Sequence, residues 1–292
     1  MPTLEGRTAI VTGAGGGLGR AEALQLATEG ASVVVNDLRG AQATVDEIVA
    51  AGGRAVAVEL GVSDPDAGRR MVDAAVEAFG DLHVIVNNAG FIRDSLLVKM
   101  TDEQFDTVLD VHLKGTFQLT RAAAQYWQGR SKEGISEDRA IINTTSGAGL
   151  HGNAGQFNYS AAKAGAAMMA ITAATELKRF GVRANAIAPV AGTAPVLATP
   201  GLGDMIAQAA EATGFDKFDP QNVAPVVAYL ATPDCPFTGQ VFSVFGGQLG
   251  LYQGWHIAHE VDKQARWTVE DLRRELAEWP VHVKVKRQKI EI

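Results

Sequence analysis

Tyr159 and Lys163 stand four residues apart, and Ser146 lies thirteen residues before the tyrosine. On a helix that spacing puts the phenol and the ammonium on one face, one turn apart. A tyrosine phenol has a pKa of about 10 and is a poor base at neutral pH. A neighbouring ammonium favours the phenolate, and a second cation does so further. Bringing the phenol close to neutrality corresponds to about 4 kcal/mol, within reach of two cations in a closed site. Such a phenol takes a hydroxyl proton as hydride leaves the carbon, or returns it in the reverse reduction. Ser146 ends a buried strand, where its hydroxyl can hold the substrate oxygen near the tyrosine. A packed helix tyrosine with a satisfied hydroxyl shares this spacing, so the triad needs a second signal.

That signal is far upstream, where a strand runs into Thr12-Gly13-Ala14-Gly15-Gly16-Gly17-Leu18-Gly19. Glycines there permit positive φ and let a pyrophosphate approach the backbone. The helix that follows offers free N–H groups and a partial positive charge. The next apolar run, Val33-Val34-Val35-Asn36, ends in Asp37. A carboxylate at that distance accepts hydrogen bonds from adenosine ribose hydroxyls and repels a 2′-phosphate, which favours NAD(H) over NADP(H). Arg39 stands nearby and could pair with such a phosphate, and a helix cap is the plain alternative for Asp37. Asn87-Asn88-Ala89-Gly90 follows another buried strand, and its amides are expected to tie neighbouring strands together.

The elements that must position these groups alternate between short apolar runs and helical periodicities. Strands are predicted at 8–12, 32–36, 54–59, 82–87, 140–144, 183–188 and 240–244, apolar throughout as if covered on both faces. Helices are predicted at 18–29, 40–51, 65–79, 102–128, 157–180 and 221–231. The implied fold is α/β, a single Rossmann-type doubly wound parallel sheet of about seven strands, with ligands beyond the strand C-termini. Residues 1–250 read as the dinucleotide-binding catalytic domain and 251–292 as a C-terminal extension. A net charge of −7 with no basic stripe before the last ten residues argues against a nucleic-acid surface. No apolar run is long enough to span a membrane, and the N-terminus lacks a signal-peptide pattern. The single Cys235 fits a reducing compartment, and the expected location is cytoplasmic. No metal site is expected.

TGAGGGLG at 12–19, NNAG at 87–90, Ser146, YSAAK at 159–163 and IAP at 187–189 together resemble the short-chain dehydrogenase/reductase family over about 240 residues. The segments 33–38, 110–117, 152–165 and 185–193 further resemble the dehydrogenase region of peroxisomal multifunctional enzyme type 2 and its bacterial relatives. Those relatives oxidise 3-hydroxyacyl-CoA, and some oxidise hydroxysteroids, with NAD⁺. The resemblance implies Ser146, Tyr159 and Lys163 as catalytic residues, with Lys163 also gripping the nicotinamide ribose. It implies Gly13, Gly15, Gly16, Gly17, Leu18, Gly19, Asp37, Asn88, Ala89, Gly90, Pro189 and Thr193 around the cofactor, and a homo-oligomer, dimer or tetramer. Two positions depart from the family. His112 stands where Asn commonly serves the proton relay, so the relay runs through a histidine or the backbone, or else the ring only packs. Gly61-Val62 stands where Asp-Val contacts adenine, leaving the Val62 N–H but no side-chain acceptor.

Substrate choice is expected in 91–100, 148–157 and 192–218. The last carries Met205, Ile206, Phe215 and Phe218 and reads as a mobile lid over a lipophilic substrate, or as an ordinary helix pair. His151 and Gln156 flank the site. In the tail, Thr268 and Asp271 make a capping-box pattern and Leu272, Leu276 and Trp279 stripe one helical face. Docking on a neighbouring subunit and a solvated tail are both open for it. Two other functions compete with the NAD-dependent reading: an NADPH-dependent ketoreductase, and a catalytically silent dinucleotide-binding regulatory protein.

Overall fold

The computed structural model describes residues 3–192 and 202–280. Its centre is one eight-stranded sheet in the order β3-β2-β1-β4-β5-β6-β7-β8. The strands are β1 (Thr8–Thr12), β2 (Ser32–Asp37), β3 (Arg54–Glu59), β4 (Val84–Asn87), β5 (Arg139–Thr144), β6 (Val182–Val190), β7 (Val241–Phe245) and β8 (Gln248–Leu251). The first seven run parallel, and the order reverses direction between β1 and β4. That is the switch point at which doubly wound sheets open a ligand crevice.

Apolar residues alternate between two cores, one on each face. Val11, Val33, Val35, Val86 and Ile142 point to the face covered by α1 (Gly17–Thr28), α2 (Ala41–Ala50) and, nearer the C-terminus, Ala224–Ala231. Ile10, Val34, Ile85 and Ile141 point to the other face, under α3 (Ala67–Phe79) and α5 (Thr116–Lys132). Trp127 is fully buried there, its indole N–H donating to the Leu82 carbonyl at 2.8 Å. Between α3 and α5 lies α4 (Asp102–Leu109), opened by a Thr101–Gln104 capping box. Next come α6 (Gly147–His151), the long catalytic-side helix α7 (Phe157–Glu176), α8 (Leu202–Thr213), α9 (Ala224–Ala231) and α10 (Val269–Leu276).

The structure departs from the sequence expectations at four places. An eighth strand exists because Gly246, at φ 52°, lets a two-residue turn fold β8 back antiparallel on β7. β3 is not covered on both faces; it is the sheet edge and is half-exposed or exposed along its length. The helix expected over 102–128 is interrupted by a π-helical turn at Asp110–Gly115 and continues to Lys132. α7 stops at Glu176, and a 3₁₀ turn at Lys178–Phe180 carries the chain to Gly181 at φ 75°. The capping box at Thr268 and Asp271 does open a helix, α10. Among the described residues no helix is long and apolar enough to cross a membrane.

Candidate active site

β1 ends at Thr12, and the turn to α1 is built from glycines with different jobs. Gly13, at φ 66°, lies so close to Ala89 that a Cβ would sit 2.7 Å from its Cα. At Gly19 a Cβ would be 2.3 Å from the Gly13 carbonyl, so here the helix packs directly on the turn. Gly15 leaves no room against the Arg39 carbonyl. Gly16 and Gly17 are exposed and meet nothing within 4 Å. Gly16 caps α1 without a side chain, and no acidic residue occupies the first turn, so the amides there face outward with the dipole behind them. Leu18 is buried in the core beneath.

The neighbouring strand ends complete the floor. Asn88 Nδ2 donates to the Thr12 carbonyl at 3.0 Å, and the Asn88 and Ala89 amides share the Thr12 hydroxyl. Asn87 donates to Asn143 across β4 and β5, so these amides bind strand to strand as expected. Asp37 ends β2 half-buried, and its carboxylate accepts from the Gly15 amide at 2.9 Å and the Leu38 amide at 2.7 Å. It is therefore tied to the glycine turn and is not a cap of α2, whose cap is Gly40. Gly61 and Val62 are buried; Gly61 donates its amide to the Asp64 carboxylate at 3.0 Å, and Val62 packs against Gly115. Asp64, not marked by any motif, fills the space a side chain at 61 would take.

The chemistry-bearing residues meet beyond the carboxyl ends of the same parallel sheet. Ser146 follows β5 and caps α6, accepting from the Ala148 amide at 3.2 Å. Its hydroxyl also stands near enough to the Tyr159 phenol to oppose the rise in the phenol's pKa. Lys163, one turn along α7, is buried and donates Nζ to the Thr144 carbonyl at 2.7 Å, while its own carbonyl accepts from Thr145. Its Nζ lies 5.7 Å from the centre of the Tyr159 ring. His112 sits on the π-helical turn, its ring edge-on to Tyr159 at 5.1 Å. His112 Nε2 lies 2.7 Å from the Phe91 carbonyl and 3.1 Å from the Phe91 amide, so it donates to the first in one tautomer and accepts from the second in the other.

Burial sets the charge states. Dehydration, aided by the Lys163 charge, pushes the His112 pKa down to about 3, so the ring is neutral. Lys163 is pushed below the usual lysine range by burial, opposed by Glu22. Burial pushes the Tyr159 phenol up, with the Ser146 hydroxyl opposing and the Asp94 charge adding to the rise. Without ligands both groups are dehydrated and the ammonium is directed at a carbonyl, so the lysine by itself does not bring the phenol close to neutrality.

Asn158 carries no motif signal beyond its place before Tyr159, yet it organises the site. It is fully buried, donates to the Arg93 and Gln104 carbonyls, and accepts from the Tyr159 amide at 2.7 Å. Gln156 donates to Asp94 in the same loop, and His151 packs on the Tyr252 ring. Pro189 lies half-buried near the end of β6. Thr193 and the start of the expected lid lie outside the described residues; within them, Ile206, Phe218 and Phe245 form a small apolar cluster against Val190.

A family model described as short chain dehydrogenase matches residues 7–209. The chain belongs to the short-chain dehydrogenase family. Its reaction class is oxidoreduction at a CH–OH group. The chain is 45% identical over 264 residues to the hydroxyacyl-CoA dehydrogenase ChsB1 of Mycobacterium tuberculosis, covering 87% of this chain and 82% of that protein. It is 42% identical over 255 residues to the peroxisomal multifunctional enzyme type 2 of Drosophila melanogaster, covering 83% of this chain and 39% of that longer protein. Family membership extends to structure: a crystal structure of a short chain dehydrogenase from Mycobacterium avium superposes with a TM-score of 0.85 at 45% identity, covering 94% and 95% of the two chains. The open, uncapped glycine turn and the carboxylate at the end of β2 fit the dinucleotide this family binds.

Proposed function

We propose that the chain is an NAD-dependent dehydrogenase interconverting a secondary alcohol and a ketone on a lipophilic substrate, 3-hydroxyacyl-CoA ahead of hydroxysteroid. The observation that carries this reading is the meeting of Ser146, Tyr159 and Lys163 at the strand carboxyl ends, where the α1 turn also lies. The cofactor, when bound, supplies the hydride acceptor or donor. The Gly16, Gly17 and Leu18 amides would hold its pyrophosphate, and Gly13, Gly15 and Gly19 keep that turn tight. Asp37 would accept the adenosine ribose hydroxyls, and its charge opposes a 2′-phosphate. Asn88, Ala89, Gly90 and Pro189 would line the remaining course toward the nicotinamide, and the family resemblance adds Thr193 to them. Lys163 would grip the ribose beside it.

Tyr159 takes the substrate hydroxyl proton in oxidation and returns it in reduction, while Ser146 orients the substrate oxygen. Because burial holds the phenol up, the acidifying charge must come largely from a cation that enters with the ligands. His112, neutral and edge-on to Tyr159, fixes the ring and closes the pocket wall. The apolar cluster of Ile206, Phe218 and Phe245 supports a lipophilic substrate, with 192–218 as its cover. We assign catalysis to residues 1–250 and subunit docking to 251–292. The buried Cys235 supports a reducing, cytoplasmic setting.

The test is NADH formation from a panel of 3-hydroxyacyl-CoA thioesters and secondary alcohols. Tyr159→Phe is expected to bind NAD⁺ normally and to lower turnover by about 100-fold or more. Comparable turnover in that variant refutes the proton role. A second reading, an NADPH-dependent ketoreductase, is favoured by Arg39 beside Asp37. It also draws on a 3-oxoacyl-[acyl-carrier-protein] reductase of Synechocystis, 40% identical over 255 residues, of which this chain covers 99%. Steady-state kinetics with NADP⁺ in place of NAD⁺ separates the two, and a large NADP⁺ preference would defeat the Asp37 argument.

A further inference from the structure

The antiparallel strand β8 delivers one aromatic ring to the short helix that Ser146 caps. Gly246 turns the chain back, and Gly250 lets β8 lie close on β7, since a Cβ there would sit 2.5 Å from the Ser243 hydroxyl. One residue past the strand, Tyr252 donates its amide to the Val241 carbonyl at 2.8 Å, so the backbone pairing continues through it. Tyr252 follows Gly250 by two and stands on the sheet face of Val241, the face that α7 covers. There its half-buried ring packs, with Leu150 of α6, against Ala167, Ala170 and Val241. It also meets the His151 ring, centre to centre at 5.5 Å.

α6 has five residues, too few to hold a helix in water on their own, so its position comes from what it packs on. Ser146 caps one end, and its Oγ accepts from the Ala148 amide at 3.2 Å, inside the first turn. The direction of that hydroxyl is therefore tied to where α6 lies. At the middle, a Cβ on Gly149 would come within 2.6 Å of the Ala164 nitrogen and the Lys163 carbonyl carbon, so backbone rests on backbone at α7. At the far end stand Leu150 and His151, and there the neighbouring ring is Tyr252. The first two supports come from β5 and α7, which carry the site itself. The third comes from the start of the C-terminal extension.

Resting on the role of Ser146 as the group that orients the substrate oxygen, we propose that Tyr252 is a positioning residue for Ser146. Its ring props the far end of α6 and so fixes the serine hydroxyl at the near end. The bulk of the ring carries this role, and its own hydroxyl does not. With Ala at 252 the far end of α6 loses a neighbour, and the helix is free to tilt on its Gly149 contact. A displacement of about 1 Å in a group that orients a substrate can cost up to about 100-fold in rate. Tyr252 acts through α6 and takes no part in the bond changes. β8, which pairs with β7 and leads into this ring, thereby gains a use in the site.

The test measures kcat and KM for oxidation of the fastest substrate in the thioester and alcohol panel. The proteins are wild type, Tyr252→Ala, Tyr252→Phe, Ser146→Ala and the Ser146→Ala/Tyr252→Ala double variant. Tyr252→Ala is expected to lower kcat by about ten-fold with NAD⁺ affinity unchanged. Tyr252→Phe keeps the ring and is expected to recover kcat to within about two-fold of wild type. On the Ser146→Ala background the same alanine is expected to cost less than about two-fold, because no hydroxyl is left to misplace. An unchanged kcat in Tyr252→Ala, or an equal loss with and without the serine hydroxyl, overturns the proposal. Should Tyr252→Ala not fold, Tyr252→Leu, which offers no ring to His151, takes its place in the same cycle. Failure of the underlying site reading would show differently, as wild-type turnover in Ser146→Ala, and the proposal would fall with it.

Discussion

The His112 imidazole is wedged between Gly90, Phe91 and the Tyr159 ring; a Cβ at Gly90 would come within 2.1 Å of it. Its folded pKa, about 3, lies below the ordinary histidine value of 6.5. A depressed pKa means stability that is complete above the unfolded value and lost as pH falls through the folded one. Acid therefore destabilises this protein between about pH 6.5 and 3 partly by charging His112. His112→Gln is expected to flatten the fall of melting temperature with pH in that window, whatever its own cost at neutral pH. Parallel curves for the two proteins would show that the ring is charged in the fold. Residue types and spacing made Ser146, Tyr159 and Lys163 legible from the chain alone, because their chemistry is tied to one helix and one strand end. Asn158 and Asp64 were not legible. Their significance comes from burial and from partners brought close by the fold: the Arg93 and Gln104 carbonyls for Asn158, the Gly61 amide for Asp64.

At the scale of elements, the β1–α1 turn shows glycines of one motif doing separable work. Gly19 is a packing position, where an added methyl meets the Gly13 carbonyl and the Asn88 amide. Gly16 has an extended backbone at φ −170° and open space around it. Gly19→Ala is thus expected to cost about 2 kcal/mol or more by overpacking. Gly16→Ala should leave the melting temperature nearly unchanged while weakening NAD⁺ binding by on the order of ten-fold, about 1.4 kcal/mol. Thermal unfolding and titration calorimetry on both variants check the pair, and equal effects on stability would contradict the division. The parallel strands were readable because each is a short apolar run. β8 was not, since Gln248-Leu249-Gly250-Leu251 is mostly exposed and its pairing depends on the turn at Gly246. The π-helical turn was hidden for a related reason: its residues, Asp110 to Gly115, keep helical periodicity while the hydrogen bonding shifts by one residue.

On the whole molecule, some of the large apolar side chains left in water lie on α5, α7 and β8. Phe117 of α5 and Phe157 and Met168 of α7 are each at least 44% exposed. Leu249 and Leu251 of the edge strand β8 are exposed as well, and Trp255 and Ile257 follow in the extension at 94% and 75%. An unpaired strand edge flanked by apolar side chains favours pairing with another chain, and helix faces of this kind favour packing on a copy of themselves. We therefore expect a homo-oligomer in which these helices and this edge are covered. Light scattering should return a mass of two or four times the 30.7 kDa chain. Met168→Glu, which places a charge on the α7 face without touching the buried core beneath it, is expected to halve that mass or reduce it to one chain. A wild-type mass of a single chain at micromolar concentration would mean that these faces stay in water, and that the extension after β8 has some other use than docking on a neighbour.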